Sequence, residues 1–243
     1  LIVNKEAGGN RQRGKLMTKA KRVVISWSSG KDSTLTLERL NENPHYQVVG
    51  LYTTYVEKEV PFQATPLEVV QMQADLLGLP LVTIELPEVF PSNDIYQSTI
   101  VSALQQSGLN VEAVAFGDMF CNGIADYRRS YIEPAGWECV FPLLGEESKE
   151  LAFEIVERGI QTMLITTDGE ALDPQWCGRW YDKELIESLP VHIDPCGEDG
   201  EFHTLVTSTP SFQGHIELNK LEVEIGERFS HQRYQAKALP KQI

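Results

Sequence analysis

The chain has 243 residues, 42% of them hydrophobic, and a formal net charge of −14, so it can bury one large core or two modest ones. Residues 1–22 carry seven Lys or Arg and one Glu, whereas the rest of the chain carries a net charge of −20. A body this acidic repels a phosphate backbone, which argues against RNA or DNA as a main partner. No apolar run approaches the roughly 18 residues that span a membrane, and the four cysteines show no C-x-x-C spacing. We therefore expect no membrane segment, zinc site or disulfide framework, and a cytoplasmic protein.

The basic segment at the start of the sequence is polar and shows no hydrophobic periodicity. We expect residues 1–20 to form a disordered tail. The rest is predicted to form two domains, residues 21–120 and residues 121–243, because the regular alternation of strand and helix signals stops near Cys121.

The first strand signal, Val23–Trp27, ends directly at Ser28-Ser29-Gly30-Lys31-Asp32-Ser33, and a helix pattern follows. A loop that opens into a helix directs unpaired backbone N–H groups into one small space, which the helix dipole makes favourable for an anion. The serine hydroxyls add donors and Lys31 adds positive charge. We call Ser28–Ser33 the phosphate loop. The alternative interpretation is an ordinary βα turn in which a serine caps the helix.

The phosphate loop is not a Walker A motif, because Ile25 and Asp32 stand where that motif requires Gly and Ser or Thr. It resembles instead the S-x-G-x-D-S loop of the ATP pyrophosphatase superfamily. That resemblance implies an enzyme that splits ATP between its α and β phosphates in order to adenylate a substrate.

Strand and helix signals alternate through the first half of the chain. Strands are predicted at Val48–Tyr52, Leu81–Leu86 and Val111–Phe116, with a helix at Asp94–Gln106. This order predicts an α/β fold with a Rossmann-like parallel sheet. Ligands of such sheets lie at the carboxyl ends of the strands, where the phosphate loop and Gly117-Asp118 both fall.

Another helix is predicted to begin at Thr65. Thr65 is read as its N-cap, Pro66 as its first residue and Glu68 as the partner that closes a capping box. Gly78 and Pro80 are predicted to end it.

The second half gives fewer regular signals. Ser148–Arg158 is predicted to be a helix and Ile160–Thr166 a strand. Ile216–Leu218 and Leu221–Ile225 flank Asn219-Lys220, which predicts a hairpin turning at those two residues.

The segment Asp194–Thr204, which we call the acidic loop, crowds carboxylates together. Gly197 and Gly200 permit backbone conformations that other residues avoid, and Glu198, Asp199 and Glu201 lie between or beside them. Carboxylates this close raise one another's pKa unless a cation or an ammonium-like ligand relieves the repulsion. The alternative is a solvated acidic turn.

The acidic loop and the phosphate loop together resemble the diphthine–ammonia ligase family of ATP pyrophosphatases. The resemblance rests on C-G-E-x-G-E-F at Cys196–Phe202, on Gly117-Asp118, on Ala125–Arg129 and on Pro142–Leu144, and it covers roughly Lys21 to Pro210. It implies an adenine nucleotide alpha hydrolase-like domain followed by a smaller C-terminal α+β domain whose acidic loop faces ATP. The implied reaction activates the diphthine carboxylate of a translation elongation factor with ATP and amidates it with ammonia.

The resemblance also implies roles for single residues. Backbone amides of Ser29–Ser33, Gly30 included, and the hydroxyls of Ser28 and Ser33 hold the leaving pyrophosphate. Lys31 neutralises charge on the bridge between the α and β phosphates, the alternative being that it points to solvent. Asp32 or Asp118 contacts Mg²⁺. Glu198 and Glu201 bind ammonium and accept its proton.

Further residues are candidates for contacts with the acceptor and with the nucleotide. Arg128 and Arg129 are adjacent on a predicted helix, so only one of them can face the site, where it would clamp a carboxylate or phosphate. Gly197, Gly200 and His203 are further candidates for the acceptor site. Tyr52, near a strand end, is a candidate contact of the nucleotide. The expected partners are thus ATP, ammonia and a carboxylate acceptor, and an oligomer is possible.

The sequence departs from the family pattern in three places, at Ser29 where a second glycine is usual, after Thr204 and at Trp176–Trp180. These departures leave the expected nucleotide chemistry unchanged, but they leave open which carboxylate is the acceptor. Two other functions remain open, a tRNA-modifying ATP pyrophosphatase and a nucleotide-binding sensor without turnover. Cys121 and Cys196 would be the catalytic pair of a thiolating enzyme, but buried inert thiols are the better interpretation.

Overall fold

Two β-sheets of different kinds organise the chain. The computed structural model describes residues 19–120 and 123–241, so most of the predicted basic tail and Cys121 lie outside the described residues. In chain order the elements are β1 (Lys21–Ser26), α1 (Lys31–Glu42), β2 (Tyr46–Tyr55), β3 (Glu59–Val60), β4 (Thr65–Pro66), α2 (Leu67–Leu77), β5 (Leu81–Glu85), α3 (Asn93–Gln106), β6 (Ala113–Ala115), α4 (Ile124–Ile132), β7 (Glu138–Val140), α5 (Ser148–Glu157), β8 (Gln161–Asp168), α6 (Lys183–Ser188), β9 (Phe202–Ser208), β10 (Gly214–Ile225) and β11 (Phe229–Pro240).

The first sheet is parallel and has the strand order β5-β2-β1-β6-β7. Its central strand β1 buries Val23, Val24 and Ile25 completely, as expected for a strand with helices on both faces. Leu37 of α1 and Val70 of α2 pack on one face of the sheet, while α3 and α4 pack on the other face. The predicted α/β fold is therefore confirmed.

The second sheet is antiparallel, with the order β10-β11-β8-β9. Apolar side chains of β8 and β9, among them Leu164 and Leu205, share a core with Leu151 of α5 and Leu185 of α6. Apart from the short antiparallel pair of β3 and β4, the strands thus change from parallel to antiparallel pairing along the chain, as the α+β prediction for the C-terminal part requires. None of the described helices is long and apolar enough to cross a bilayer.

The position of β7 is relevant to the boundary between the two predicted domains. β7 lies beyond residue 120, yet it pairs with β6 and completes the first sheet. The change of sheet falls between Val140 and Gln161. The division at residue 120 stays a prediction, and one placed between β7 and α5 would keep the first sheet whole.

Two local predictions are wrong. Thr65 does not cap α2, because it lies in β4 and its hydroxyl accepts a hydrogen bond from Ser29 (3.2 Å); Pro66 is the N-cap and no side chain caps the helix. The C-terminal hairpin does not turn at Asn219-Lys220 either. β10 continues through these residues with a change of register between Lys220 and Val223, and the turn to β11 follows Ile225.

A buried glutamine on α2 joins the two sheets. Gln73 is completely buried, and its amide oxygen accepts a hydrogen bond from Trp27 Nε1 (2.8 Å). Its amide nitrogen donates to the carbonyl oxygens of Ser29 (3.1 Å) and Val206 (2.8 Å). One side chain therefore satisfies polar groups of the end of β1, of the phosphate loop and of β9.

We expect Gln73→Leu to lower the free energy of unfolding by about 3 kcal/mol, because it leaves several buried polar groups without partners. Gln71→Leu is the matched control, since Gln71 is exposed on the same helix and its side chain donates a hydrogen bond to Asp75 on the surface (2.8 Å). Its effect should stay within about 0.5 kcal/mol. Urea unfolding of both variants measures the difference. Equal midpoints would show that Gln73 does not join the sheets energetically.

Candidate functional site

The phosphate loop lies where the order of the parallel sheet reverses. From β1 the chain proceeds to β2 and β5 on one side, and then to β6 and β7 on the other. The carboxyl ends of β1 and β6 therefore diverge, and the crevice between them is where open α/β sheets bind ligands. The phosphate loop follows β1, and Gly117-Asp118 follows β6 closely, as predicted.

A cavity of about 190 Å³ occupies this crevice. Ligand pockets commonly measure roughly 300–1,000 Å³, so this space suits phosphate groups better than a whole nucleotide. The lining residues come from the ends of β1 and β6, from α1 and α4 and from the acidic loop: Ser26, Ser28, Asp32, Ser33, Phe116, Gly117, Asp118, Arg128 and Glu198.

The phosphate loop presents hydroxyls and helix N-terminal amides at the cavity. The hydroxyl oxygens of Ser28 and Ser33 lie 3.3 Å apart. The amides of Asp32 and Ser33 belong to the first turn of α1, where helix geometry supplies no intrahelical acceptor. The amide of Lys31 already donates to Thr204 Oγ1 (3.1 Å), so fewer amides are available than the sequence predicted.

Gly117 allows the β6 loop to approach the start of α1. A Cβ atom at this position would lie 3.0 Å from the backbone carbon of Asp32 and 3.1 Å from the nitrogen of Ser33. Any side chain would therefore push apart the two walls of the cavity.

Ser29 supports the phosphate loop from behind. It has φ 71°, the left-handed region that favours glycine. Its hydroxyl has one proton to donate and lies 3.2 Å from Thr65 Oγ1 and 3.4 Å from Gln63 Oε1. Its carbonyl accepts from Val206 N (3.0 Å). Ser29 does not line the cavity, so its role is to hold the loop.

Lys31 is not placed at the cavity. Its side chain is 3% exposed, and Nζ donates to both carboxylate oxygens of Asp32 (2.8 Å each) and to the carbonyl of Cys196. Burial lowers the pKa of Lys31, but Asp32 and other negative groups outweigh burial, so that the pKa is raised and the ammonium group stays charged. Lys31 ties α1 to the acidic loop rather than reaching a phosphate bridge.

Arg128, and not Arg129, faces the cavity. Its Nε donates to Asp118 Oδ2 (3.2 Å), and its guanidinium lies 4.8 Å from the centre of the Phe116 ring. The other side of α4 carries Arg129, which pairs with Asp126 and Glu133 at the surface.

The two glutamates of the acidic loop have different environments. Glu198 lines the cavity, where burial and the nearby Asp32 raise its pKa to about 7. Glu201 is buried within the loop, and its two oxygens accept hydrogen bonds from the amides of Asp194 (2.8 Å) and Asp199 (3.0 Å). Glu201 thus closes the loop and does not line the cavity, which leaves Glu198 as the carboxylate in position for chemistry.

The two glycines of the acidic loop are both needed for its shape. Gly197 has φ 70° and a Cβ there would lie 2.8 Å from the carbonyl oxygen of Phe202, whereas Gly200 has φ 86° and open space around it. They shape the loop and are not among the residues that line the cavity.

Tyr52 and His203 also lie away from the cavity lining. Tyr52 is buried in the apolar core between the first sheet and α3 and α4, so the structure does not support a nucleotide contact. His203 is on β9 opposite Thr166, and burial lowers its pKa to about 4, which keeps the imidazole neutral near pH 7.

The cavity fits a magnesium ion that enters with phosphate. Among the described residues no group of three or more His, Cys, Asp or Glu is arranged to hold a metal by itself. Mg²⁺, however, usually takes one or two carboxylates and completes its shell with water and substrate phosphates. Asp32 and Asp118 both line the cavity and offer such oxygens.

Some residues that build the site were not identified from the sequence. Ser26 and Phe116 line the cavity, Thr204 caps the first amide of α1, and Gln73 holds the loop. Phe116 directly precedes Gly117-Asp118, and this position after a strand was the only signal for it.

Comparisons with known proteins agree with the resemblance that the phosphate loop and the acidic loop indicate. Residues 147–236, which include the acidic loop, match the family model "Diphthamide synthase C-terminal domain". A diphthine–ammonia ligase of Schizosaccharomyces pombe is 24% identical over 223 residues, an alignment that covers 81% of this chain and 36% of that protein. The resemblance to the diphthine–ammonia ligase family is confirmed. The chain spans about a third of the length of this relative.

A solved structure is similar over part of the fold. It is the U34-tRNA thiolase NcsA from Methanococcus maripaludis with its [4Fe-4S] cluster, with a TM-score of 0.40, 15% identity and 58% of each chain covered.

We expect Arg128→Lys to weaken the binding of magnesium pyrophosphate at least about 10-fold, because an ammonium group cannot reproduce the forked guanidinium contacts. Arg129→Lys is the matched control and should bind as the unmodified chain does. Isothermal titration calorimetry at constant ionic strength measures both. Equal affinities in the two variants would show that Arg128 does not contact the anion.

Proposed function

We propose that this chain is an ATP-dependent carboxylate–ammonia ligase that forms an acyl-adenylate, releases pyrophosphate and makes an amide. The observation that carries the proposal is the cavity itself. It combines a helix N-terminus, two serine hydroxyls and Arg128, which suit a phosphate, with Glu198 from the acidic loop, which suits proton transfer. The family resemblance supports the same chemistry, with a diphthine-like carboxylate as acceptor.

In the first half-reaction an oxygen of the acceptor carboxylate attacks the α-phosphorus of ATP, and the bond to the β-phosphate bridge breaks. The amides of Asp32 and Ser33, the hydroxyls of Ser28 and Ser33 and the guanidinium of Arg128 stabilise the pyrophosphate as it leaves. Asp32 or Asp118 would hold Mg²⁺, which would supply positive charge to the phosphate oxygens. Lys31 contributes indirectly, since it fixes Asp32 and the acidic loop.

In the second half-reaction the nitrogen of ammonia attacks the acyl carbon of the adenylate, and AMP leaves. The nitrogen must lose a proton, and Glu198 is the carboxylate that lines the cavity on the side of the acidic loop. With a pKa near 7, this side chain can accept a proton and release it again near neutral pH.

Two other functions are less well supported. Thiolation would need a reactive cysteine, but burial raises the pKa of Cys196 to about 12 and its thiol donates to the carbonyl of Ser148. A sensor without turnover would have no need for the half-buried carboxylate of Glu198 facing the phosphate loop.

With ATP and a diphthine-bearing elongation factor as acceptor, we expect AMP and pyrophosphate as products. Asp32→Ala and Ser33→Ala should lower turnover by about 10²–10³, since each removes a group at the phosphate cavity. Asp75→Ala, on the exposed face of α2, is the control. Chromatography of the nucleotides identifies the products. Formation of ADP and inorganic phosphate would contradict the proposal.

Glu198→Gln should separate the half-reactions. Exchange of pyrophosphate into ATP needs no base for ammonia and should survive within a few-fold, whereas amide formation should fall by about 10²–10⁴. Glu201→Gln is the contrast. Its amide cannot accept both backbone N–H groups, so we expect a lower melting temperature and a parallel loss of both half-reactions.

The two variants are compared by isotope exchange, amide formation and thermal unfolding in one preparation. If Glu198→Gln loses exchange and amidation equally, Glu198 acts on the nucleotide or the metal rather than on ammonia.

A further inference from the structure

Two tyrosine hydroxyls contact the guanidinium of Arg128, the arginine that lines the phosphate cavity. Nη1 of Arg128 lies 3.4 Å from the hydroxyl oxygen of Tyr96 and 3.4 Å from that of Tyr131. The two rings pack edge to face, with centres 6.4 Å apart at an interplanar angle of 80°. We call Tyr96 and Tyr131 the tyrosine pair. Neither of them lines the cavity, so any effect of the pair on a ligand passes through Arg128.

The tyrosine pair comes from the two helices that pack on the same face of the first sheet. Tyr131 lies three residues after Arg128 on α4, and this spacing places both side chains on one face of the helix. Tyr96 lies in the first turn of α3. The contact therefore exists only where α3 and α4 meet beside the cavity.

Other contacts hold the same guanidinium. Its Nε donates to Asp118 Oδ2 (3.2 Å), and its face lies over the Phe116 ring at 4.8 Å from the ring centre. Nη1 is bound to the tyrosine pair, and Nη2 makes no hydrogen bond to any residue within 19–120 and 123–241. A planar guanidinium that is held at Nε, at Nη1 and on its face keeps one orientation. Nη2 is then the donor that remains for an anion.

Tyrosine suits this role because it accepts a hydrogen bond without adding charge. Burial raises the pKa of Tyr131 above its usual value, so the hydroxyl keeps its proton near pH 7. Burial lowers the pKa of Arg128, but Asp118 and other groups outweigh burial, so that the pKa is raised and the guanidinium stays charged. The cavity already contains the carboxylates of Asp32, Asp118 and Glu198. The tyrosine pair orients Arg128 without adding a fourth.

From these contacts we infer that Tyr96 and Tyr131 are positioning residues, whose hydroxyls hold Nη1 of Arg128 so that Nη2 is presented to an anion in the phosphate cavity. That this anion is the pyrophosphate released from ATP rests on the proposed function, whereas the positioning itself does not. The hydroxyls carry the effect, and the rings only place them.

A double-mutant cycle tests whether the tyrosine pair acts through Arg128. The full chain is titrated with magnesium pyrophosphate by isothermal titration calorimetry at constant ionic strength. The double variant of Tyr96→Phe and Tyr131→Phe keeps both rings, and we expect about threefold or more weaker binding, because the guanidinium is no longer held in one orientation. In an Arg128→Met background the same two substitutions should change the affinity by less than about 1.5-fold, because no guanidinium remains to be oriented.

Tyr127→Phe is the matched control. Tyr127 is on the same helix and its ring centre lies 5.6 Å from that of Tyr131, but its hydroxyl contacts Asn93 (3.3 Å) instead of Arg128. This variant should bind magnesium pyrophosphate as the unmodified chain does. Tyr96→Phe alone, at a half-buried position, enters the same cycle, so the comparison does not depend on the stability of the double variant. Thermal unfolding of every variant checks that it is folded at the temperature of the titration.

Unchanged binding in the double variant, or equal weakening with and without Arg128, would each overturn the inference, because the hydroxyls would then act on nothing or only on the fold. The nucleotide products are analysed on the same preparation with ATP and the acceptor. Coupling of the tyrosine pair to Arg128 without AMP formation would refute the proposed function alone. AMP formation without that coupling would refute the positioning role alone.

Discussion

The docking of β9 onto the start of α1 is the contact on which the site depends. Thr204 Oγ1 accepts the hydrogen bond of Lys31 N, and the amide of Val206 donates to the carbonyl of Ser29 (3.0 Å). Gly30 makes this approach possible, because a Cβ at that position would lie 3.2 Å from the carbonyl oxygen of Thr204. The antiparallel sheet thus fixes the phosphate loop of the parallel sheet, and neither part forms the cavity alone.

The same contact explains the charge of the cavity. Its lining brings together the carboxylates of Asp32, Asp118 and Glu198 and one guanidinium, that of Arg128. Arg128 pairs with Asp118 and Lys31 pairs with Asp32, which leaves the helix N-terminus and the serine hydroxyls for a phosphate. Mg²⁺ entering with the anion would offset the remaining carboxylate, that of Glu198. The partly buried ion pair of Lys31 and Asp32 orients one of these carboxylates, and the acidic loop supplies another through a backbone that Glu201 holds closed.

The sequence was sufficient for those features that depend on local pattern. The buried strand β1, the phosphate loop and the position of Gly117-Asp118 follow from hydrophobic runs that break at small residues. Predictions from the sequence were wrong where a contact with a residue distant in the chain determines the local structure. Thr65 has the pattern of an N-cap, but Ser29 draws its hydroxyl into another contact; Asn219-Lys220 has the pattern of a turn, but strand pairing with β11 runs through it. Lys31 lies away from the cavity for the same reason, since the carbonyl of Cys196 in the acidic loop accepts a hydrogen bond from its ammonium group. Glu201 differs, because the amides that occupy its carboxylate belong to its own loop.

Ser29 shows how a departure from a family pattern can be accommodated. The resemblance places a glycine here, and φ 71° is a conformation that glycine adopts without strain. Serine adopts it at a cost of about 1 kcal/mol or more, but its hydroxyl gains a hydrogen bond, shared between Thr65 and Gln63, that glycine cannot make. A buried hydrogen bond is worth about 1 kcal/mol, so the two effects are of similar size. The substitution therefore changes the stability of the loop little, while it joins the phosphate loop to Gln63 and Thr65.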